Sequence, residues 1–170
     1  MKRLEDLYLD FLFGESVGTV DIASVAGLRR LKQLQVHGPV LDLSPLAGLE
    51  QLVRLKLSHI QDDDLTPLAQ LRRLVDLDVS ICGVSNLQPI ADLNELNRLR
   101  IFGTQVIDLT PVGGLANLRE LDIGNTAISD LSPILGLSNL RELDAADYTS
   151  IDAAEWDRFF RARPKCVVRR

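Results

Sequence analysis

The pattern Leu-x-x-Leu-x-apolar starts at Leu52, Leu74, Leu96, Leu118 and Leu140, each 22 residues after the one before. It also starts at Leu31, 21 residues before Leu52, and at Leu4, 27 residues earlier still. A fixed period of this length marks stacked supersecondary units and constrains the fold more tightly than any single helix or strand signal. A second signature follows the first: Leu43-Ser44-Pro45-Leu46, Leu65-Thr66-Pro67-Leu68, Leu109-Thr110-Pro111-Val112 and Leu131-Ser132-Pro133-Ile134. Leu87-Gln88-Pro89-Ile90 is the variant without a hydroxyl. Five of the seven prolines occupy this one slot, so both signatures share a register.

The two signatures dictate local structure. Leu55 and Leu57 alternate with Arg54 and Lys56, the period-two pattern of a strand with one buried face. Proline cannot continue a central strand. A hydroxyl followed by proline instead opens a helix, with the hydroxyl as N-cap and proline at the first helical position. Stretches such as Leu68-Ala69-Gln70-Leu71 leave room for one or two turns of α or 3₁₀ helix before the next unit. One unit cannot bury its leucine stripe, whereas stacked neighbours share a continuous core. Leucine accordingly supplies 32 of the 170 residues.

These in-register motifs resemble the leucine-rich repeat family, and within it the 22-residue repeats of bacterial internalins and of a regulatory subunit of type-1 protein phosphatase. The resemblance covers residues 20–151 and extends more loosely over 4–19. It implies an α/β solenoid with a curved parallel β-sheet on the concave side and short helical or 3₁₀ returns on the convex side. It implies nothing about catalysis. The family usually places an asparagine just after the strand, where its side chain bonds turn backbone of adjoining units. Here Cys82, Thr104 and Thr126 fill that slot, and Ile60 and Tyr148 depart from it. Cys and Thr still donate and accept, so the ladder is expected to be weakened rather than lost. Local distortion is expected where a residue is missing near His37-Gly38-Pro39. It is also expected at Asp62, where later units carry Val84, Val106 and Ile128.

The whole chain, 1–170, reads as one leucine-rich repeat domain: an irregular N-terminal unit (1–30), regular repeats (31–151) and a C-terminal cap (152–170). Seven parallel strands are expected near residues 4, 31, 52, 74, 96, 118 and 140, the first protected at its edge by Lys2, Arg3, Glu5 and Asp6. Asp152-Ala153-Ala154-Glu155 reads as a capping box. It opens a helix on which Trp156, Phe159 and Phe160 share a face, and Val167-Val168 completes a hydrophobic lid.

Composition narrows the function. A net charge of -5 argues against non-specific nucleic-acid binding. Apolar runs are only a few residues long, so no membrane span is expected. The charged start Met1-Lys2-Arg3 lacks the apolar stretch of a signal peptide. Two cysteines fit a reducing, cytoplasmic compartment, and the resemblance is to bacterial repeats. With two histidines, no Cys-x-x-Cys and no phosphate-binding glycine signature, the chain is expected to be no enzyme, to take no cofactor or metal, and to be a monomer. His37 and His59 follow adjacent strands and read as surface histidines on turns rather than metal ligands. Asp62-Asp63-Asp64 lacks the spaced oxygens and glycine of a calcium loop. Asp64 matches Asp42, Asp108 and Asp130, so it reads as part of a solvated turn. Cys82 reads as a buried structural thiol.

The strand positions flanking each second leucine face outward on the concave side: Arg54 and Lys56, Asp76 and Asp78, Arg98 and Arg100, Glu120 and Asp122, then Glu142 and Asp144. Parallel strands lie about 4.8 Å apart, so equivalent positions become lateral neighbours. Two charge ladders are expected, Arg54–Asp76–Arg98–Glu120 and Lys56–Asp78–Arg100–Asp122. Exposed pairs of this kind contribute about 0–1 kcal/mol each. The ladders either neutralise themselves or offer their side chains to a partner. Carboxylates gather in the C-terminal half, with Asp147 beyond them and Arg119 and Arg141 at their flank. Phe102 follows Ile101 where other units carry Ser58, Ser80 and Gly124, placing it on the rim near Ile81 or folded over Gly103. An aromatic beside two arginines is the composition of an interface hot spot. The function expected is a non-catalytic protein–protein interaction module binding a partner protein through its concave sheet face. The alternatives are a dedicated inhibitor or immunity protein occluding an enzyme, and the substrate-recognition arm of a larger enzyme.

Overall fold

The repeat period becomes a stack of parallel strands. The computed structural model describes residues 4–11, 19–146 and 150–170. Its strands are β1 (Asp6–Asp10), β2 (Gln33–His37), β3 (Arg54–Ser58), β4 (Asp76–Asp78), β5 (Arg98–Arg100), β6 (Glu120–Asp122), β7 (Glu142–Asp144) and β8 (Val167–Arg169). They follow one another in sequence order in a single open, curved, all-parallel sheet. Leu34 pairs with Leu55, and the row continues through Leu77, Leu99 and Leu121 to Leu143. All six are buried, together with Val36, Leu57, Val79, Ile101, Ile123 and Ala145. Strands begin two residues after the expected positions. The first leucine of each motif belongs to the preceding turn, where its N–H closes a 3₁₀ bond, as in Leu52 N–H to Leu49 O at 2.9 Å.

The proline slots form 3₁₀ helices at Ser44–Leu46, Thr66–Leu68, Gln88–Ile90, Thr110–Val112 and Ser132–Ile134. The Ser/Thr hydroxyl does not cap them as expected. Tight i+3 bonding already uses the N–H groups a cap would take: Leu46 N–H reaches Leu43 O (2.9 Å) and Ala47 N–H reaches Ser44 O (3.1 Å). The donor left over is the Ser44 N–H, which donates to Asp42 two residues upstream at 2.8 Å. Asp64, Asn86, Asp108 and Asp130 accept in the same way from Thr66, Gln88, Thr110 and Ser132. The hydroxyl of the same Ser or Thr, and secondarily this N–H, hold the four aspartates below their ordinary pKa.

The irregular units distort their turns and leave the sheet register intact. Gly38 (φ +146°) lets the chain leaving β1 pass closely: a Cβ there would lie 2.8 Å from Phe11 Cβ. The Phe11 N–H bonds His37 O at 2.8 Å. Asp62, at the slot that buries Val84, Val106 and Ile128, accepts the Leu43 N–H of the previous unit at 2.8 Å. It thereby replaces a packing contact with a polar tie.

At the far end, α1 (Ala153–Ala162) is capped by Asp152, which accepts the Glu155 N–H at 2.8 Å. The reciprocal half of the expected capping box is not made. Glu155 instead accepts the Leu131 N–H at 3.0 Å, fastening the helix to the preceding unit. Trp156 and Phe159 are buried, Phe160 stacks on Trp156 with ring centroids 5.8 Å apart, and the Arg170 guanidinium lies over both outer rings. The Val167-Val168 run is no simple lid: it is β8, pairing with β7 through Val167 N–H to Arg141 O (2.7 Å) and Ala145 N–H to Arg169 O (2.8 Å). One hydrophobic cluster runs from Ile22 to Phe159. Among the described residues no helix is long and apolar enough to cross a membrane. Lys2, Arg3, Asp147 and Tyr148 lie outside the described residues.

Candidate functional site

In-register strands bring the predicted charges into lateral rows, and the rows pair unevenly. Arg98 is the centre of the first: its Nη1 donates to Asp76 at 3.1 Å, while Nε and Nη2 grip the Glu120 carboxylate in a fork, Nη2 at 2.7 Å. The Glu120 bond chiefly raises the Arg98 pKa, and the same bond holds Glu120 below the ordinary carboxylate range. Arg54 does not extend this row to Asp76. Its Nη1 turns the other way, to Gln33 Oε1 at 3.4 Å.

The second row departs further from expectation. Lys56 Nζ lies 3.5 Å from Asp78, and Arg100 Nη1 lies 3.5 Å from Asp76 and 4.0 Å from Asp78. Asp78 was expected to be exposed but is 6% accessible. The cations on either side lean over it, and its Oδ1 accepts the Ser80 N–H at 3.0 Å, so it supports its neighbours from beneath. Because Arg100 leans toward β4, no ion pair to Asp122 forms among the described residues. Burial pushes the Asp122 pKa up, and Asp144 and Asp78 add to the rise against the Gly124 N–H bond and Arg100. Beyond it, Glu142 is exposed and Asp144 is 3.9 Å from Arg169 of β8.

The rim above the strands is a turn in which His59, Ile81, Gly103 and Asn125 take the same slot with φ of 59°, 57°, 65° and 50°. Their N–H groups bond forward to Ile81 O, Phe102 O, Gly124 O and Ala146 O at 2.8–3.2 Å. These bonds form a backbone ladder along the rim, one residue before the slot of Cys82, Thr104 and Thr126. Thr104 and Thr126 bond within their own units, to Ile101 O (2.7 Å) and Ile123 O (2.6 Å), whereas Cys82 Sγ donates back to Leu57 O at 3.4 Å. Burial pushes the Cys82 thiol up to about 11, so it is an unreactive structural group.

Phe102 is half-buried on this rim, its ring reaching forward to Gly124: a Cβ on Gly124 would lie 2.9 Å from Phe102 Cδ2. Ile81 and Phe102 line one recess with His37, His59 and Asp122. The two histidines do meet, His37 Nε2 and His59 Nδ1 being 2.9 Å apart, with Asp10 3.8 Å from His37 Nδ1. Among the described residues no three His, Cys, Asp or Glu side chains are grouped to hold a metal.

Sequence reasoning missed part of the face. Tyr8, 56% exposed, projects from β1 into the groove that also takes in Gln33, Gln35, Arg54 and Lys56. The signal was present, since Leu7 and Leu9 flank Tyr8 as Leu55 and Leu57 flank Lys56. Arg169 joins the acidic end only because β8 exists.

No family model and no curated protein matches the chain. Among solved structures it is similar to an internalin (inlF) of Listeria monocytogenes, at 26% identity and a TM-score of 0.85 over 97% of this chain and 47% of that one. It is similar to internalin C2 of the same organism at 32% identity and a TM-score of 0.71, over 82% of this chain and 62% of that one. A leucine-rich repeat protein of Leptospira interrogans shares the fold at 20% identity and a TM-score of 0.67, over 89% of this chain and 46% of that one. The chain thus spans about half to three-fifths of the length of the internalins it matches. With the repeat period, the parallel sheet and these likenesses in agreement, the chain is a leucine-rich repeat protein whose repeats resemble those of internalins.

Proposed function

We propose that this chain is a non-catalytic interaction module that binds a partner protein with its concave sheet face. The observation that carries this reading is the uneven pairing of charge. A ladder serving only solubility would close on itself, yet Arg54 turns away from Asp76, and Asp122 and Glu142 have no ion pair among the described residues. Beside those carboxylates the rim carries exposed Ile81 and half-buried Phe102. Charged, curved and apolar-edged surfaces of this kind are complementary to a folded protein rather than to a small molecule. The contact set is Arg54, Lys56, Asp76, Ile81, Arg98, Arg100, Phe102, Glu120, Asp122, Glu142 and Asp144, with Asp78 supporting from below. Two free cysteines support a reducing, cytoplasmic setting, and the internalin likeness a bacterial source.

The test is capture of partners from the source cell with the native chain, repeated with two double reversals. Arg98→Glu with Arg100→Glu should abolish the capture at a stability cost of about 1 kcal/mol, from like charges on neighbouring strands. Arg72→Glu with Arg73→Glu, in the exposed return between the Thr66–Leu68 turn and β4, should leave it intact. If the control pair hurts as much as the concave pair, the partner lies on another surface.

A further inference from the structure

Ile81 is an anomaly at both the backbone and the surface. Its slot requires a left-handed conformation, which glycine and asparagine accept readily and a β-branched residue resists. The two following units obey that rule with Gly103 and Asn125, and the preceding one holds His59, which is not β-branched. Ile81 adopts φ +57° regardless, and leaves its side chain 49% exposed. Strain combined with exposure contributes nothing to the core, and such outliers concentrate where a side chain is presented for use.

What it is presented beside defines the ligand chemistry. The Ile81 N–H donates to Phe102 O at 2.8 Å, which joins the two residues along one rim. Across the recess lies Asp122. A Cβ on Gly124 would meet Phe102 Cδ2 at 2.9 Å and Asp122 Oδ1 at 3.3 Å, so the ring edge and the carboxylate converge over that bare glycine. Basic groups line the recess too: Lys56 is committed to Asp78 at 3.5 Å and His37 and His59 to each other at 2.9 Å, while Arg100 beside it is held by Asp76 and Asp78. Asp144, in the next strand, adds negative charge rather than relieving it. The recess therefore has two apolar walls and a carboxylate that is bonded to the Gly124 N–H at 3.0 Å and has no ion pair among the described residues.

We infer that this recess receives a basic side chain of the partner protein, its aliphatic stem against Ile81 and Phe102 and its cationic head on Asp122. Long basic side chains divide in just this way, stem on apolar surface and charge on a polar anchor. The inference rests on the concave-face reading and adds to it the class of residue recognised.

The test is selection of random short peptides displayed on phage against the full chain, followed by affinity measurements on variants. Enriched peptides should carry Lys or Arg next to an apolar residue. Asp122→Asn should weaken them about tenfold and flatten their salt dependence. Ile81→Asn should also weaken them, while raising the Tm by about 2–4 °C as the strain is relieved. Peptides without basic residues, no enrichment at all, or binding unchanged in Asp122→Asn would overturn the inference. The two readings fail differently. Peptides that ignore Asp122 and Ile81 but are lost on reversing Arg98 and Arg100 sink the recess alone. Peptides indifferent to every concave change sink both.

Discussion

Asp122 is a carboxylate that folding disfavours. Burial, Asp144 and Asp78 raise its pKa above the unfolded value, so the folded chain holds this proton more tightly than the unfolded one. The folded state therefore loses stability as pH rises through the ordinary carboxylate range. Asp122→Asn should raise the Tm at neutral pH, the gain fading below about pH 3 where both states are protonated. Glu120, in the same strand, has the opposite sign. Arg98 lowers its pKa, so Glu120 contributes stability above that range and loses it as pH falls. Glu120→Gln should lower the Tm at neutral pH and converge with the native chain in acid. Thermal unfolding followed across pH checks both, and two shifts of the same sign at neutral pH would contradict the assigned environments.

Each strand and return of the array touches its neighbours and little else, so damage should spread by adjacency. Phe159 is the fully buried anchor of α1. Phe159→Ala should cost about 3–5 kcal/mol. Hydrogen exchange should show lost protection concentrated in β7 and β8, with β2 and β3 spared; uniform loss would instead describe a single cooperative unit. The strands were legible because a period-two alternation recurs in register, and each copy corroborates the rest. The helix caps were less so. Ser-Pro and Thr-Pro announce a helix start, but the 3₁₀ pattern that assigns the vacant N–H to Asp42 or Asp108 is a property of the folded turn. β8 escaped notice because two valines are too short a signal to distinguish a strand from a lid.

At the scale of the whole molecule, stacking turns a one-dimensional charge order into a surface. The order plus, minus, plus, minus, minus was readable from Arg54 to Asp144. The lean of Arg100 toward β4, the burial of Asp78 and the reach of Phe102 over Gly124 were not, since they depend on how neighbouring units crowd one another. Those three details leave Asp122 without an ion pair among the described residues and place apolar side chains beside it. Hydroxyl-radical footprinting of the chain with and without its captured partner reads the consequence most directly, because it labels exposed side chains one by one. Tyr8, Ile81 and Phe102 should lose reactivity in the complex, while Leu41 and Ile107, exposed in the turns between strand and 3₁₀ helix, should keep theirs. Protection of Leu41 and Ile107 with Tyr8, Ile81 and Phe102 unchanged would contradict concave-face binding.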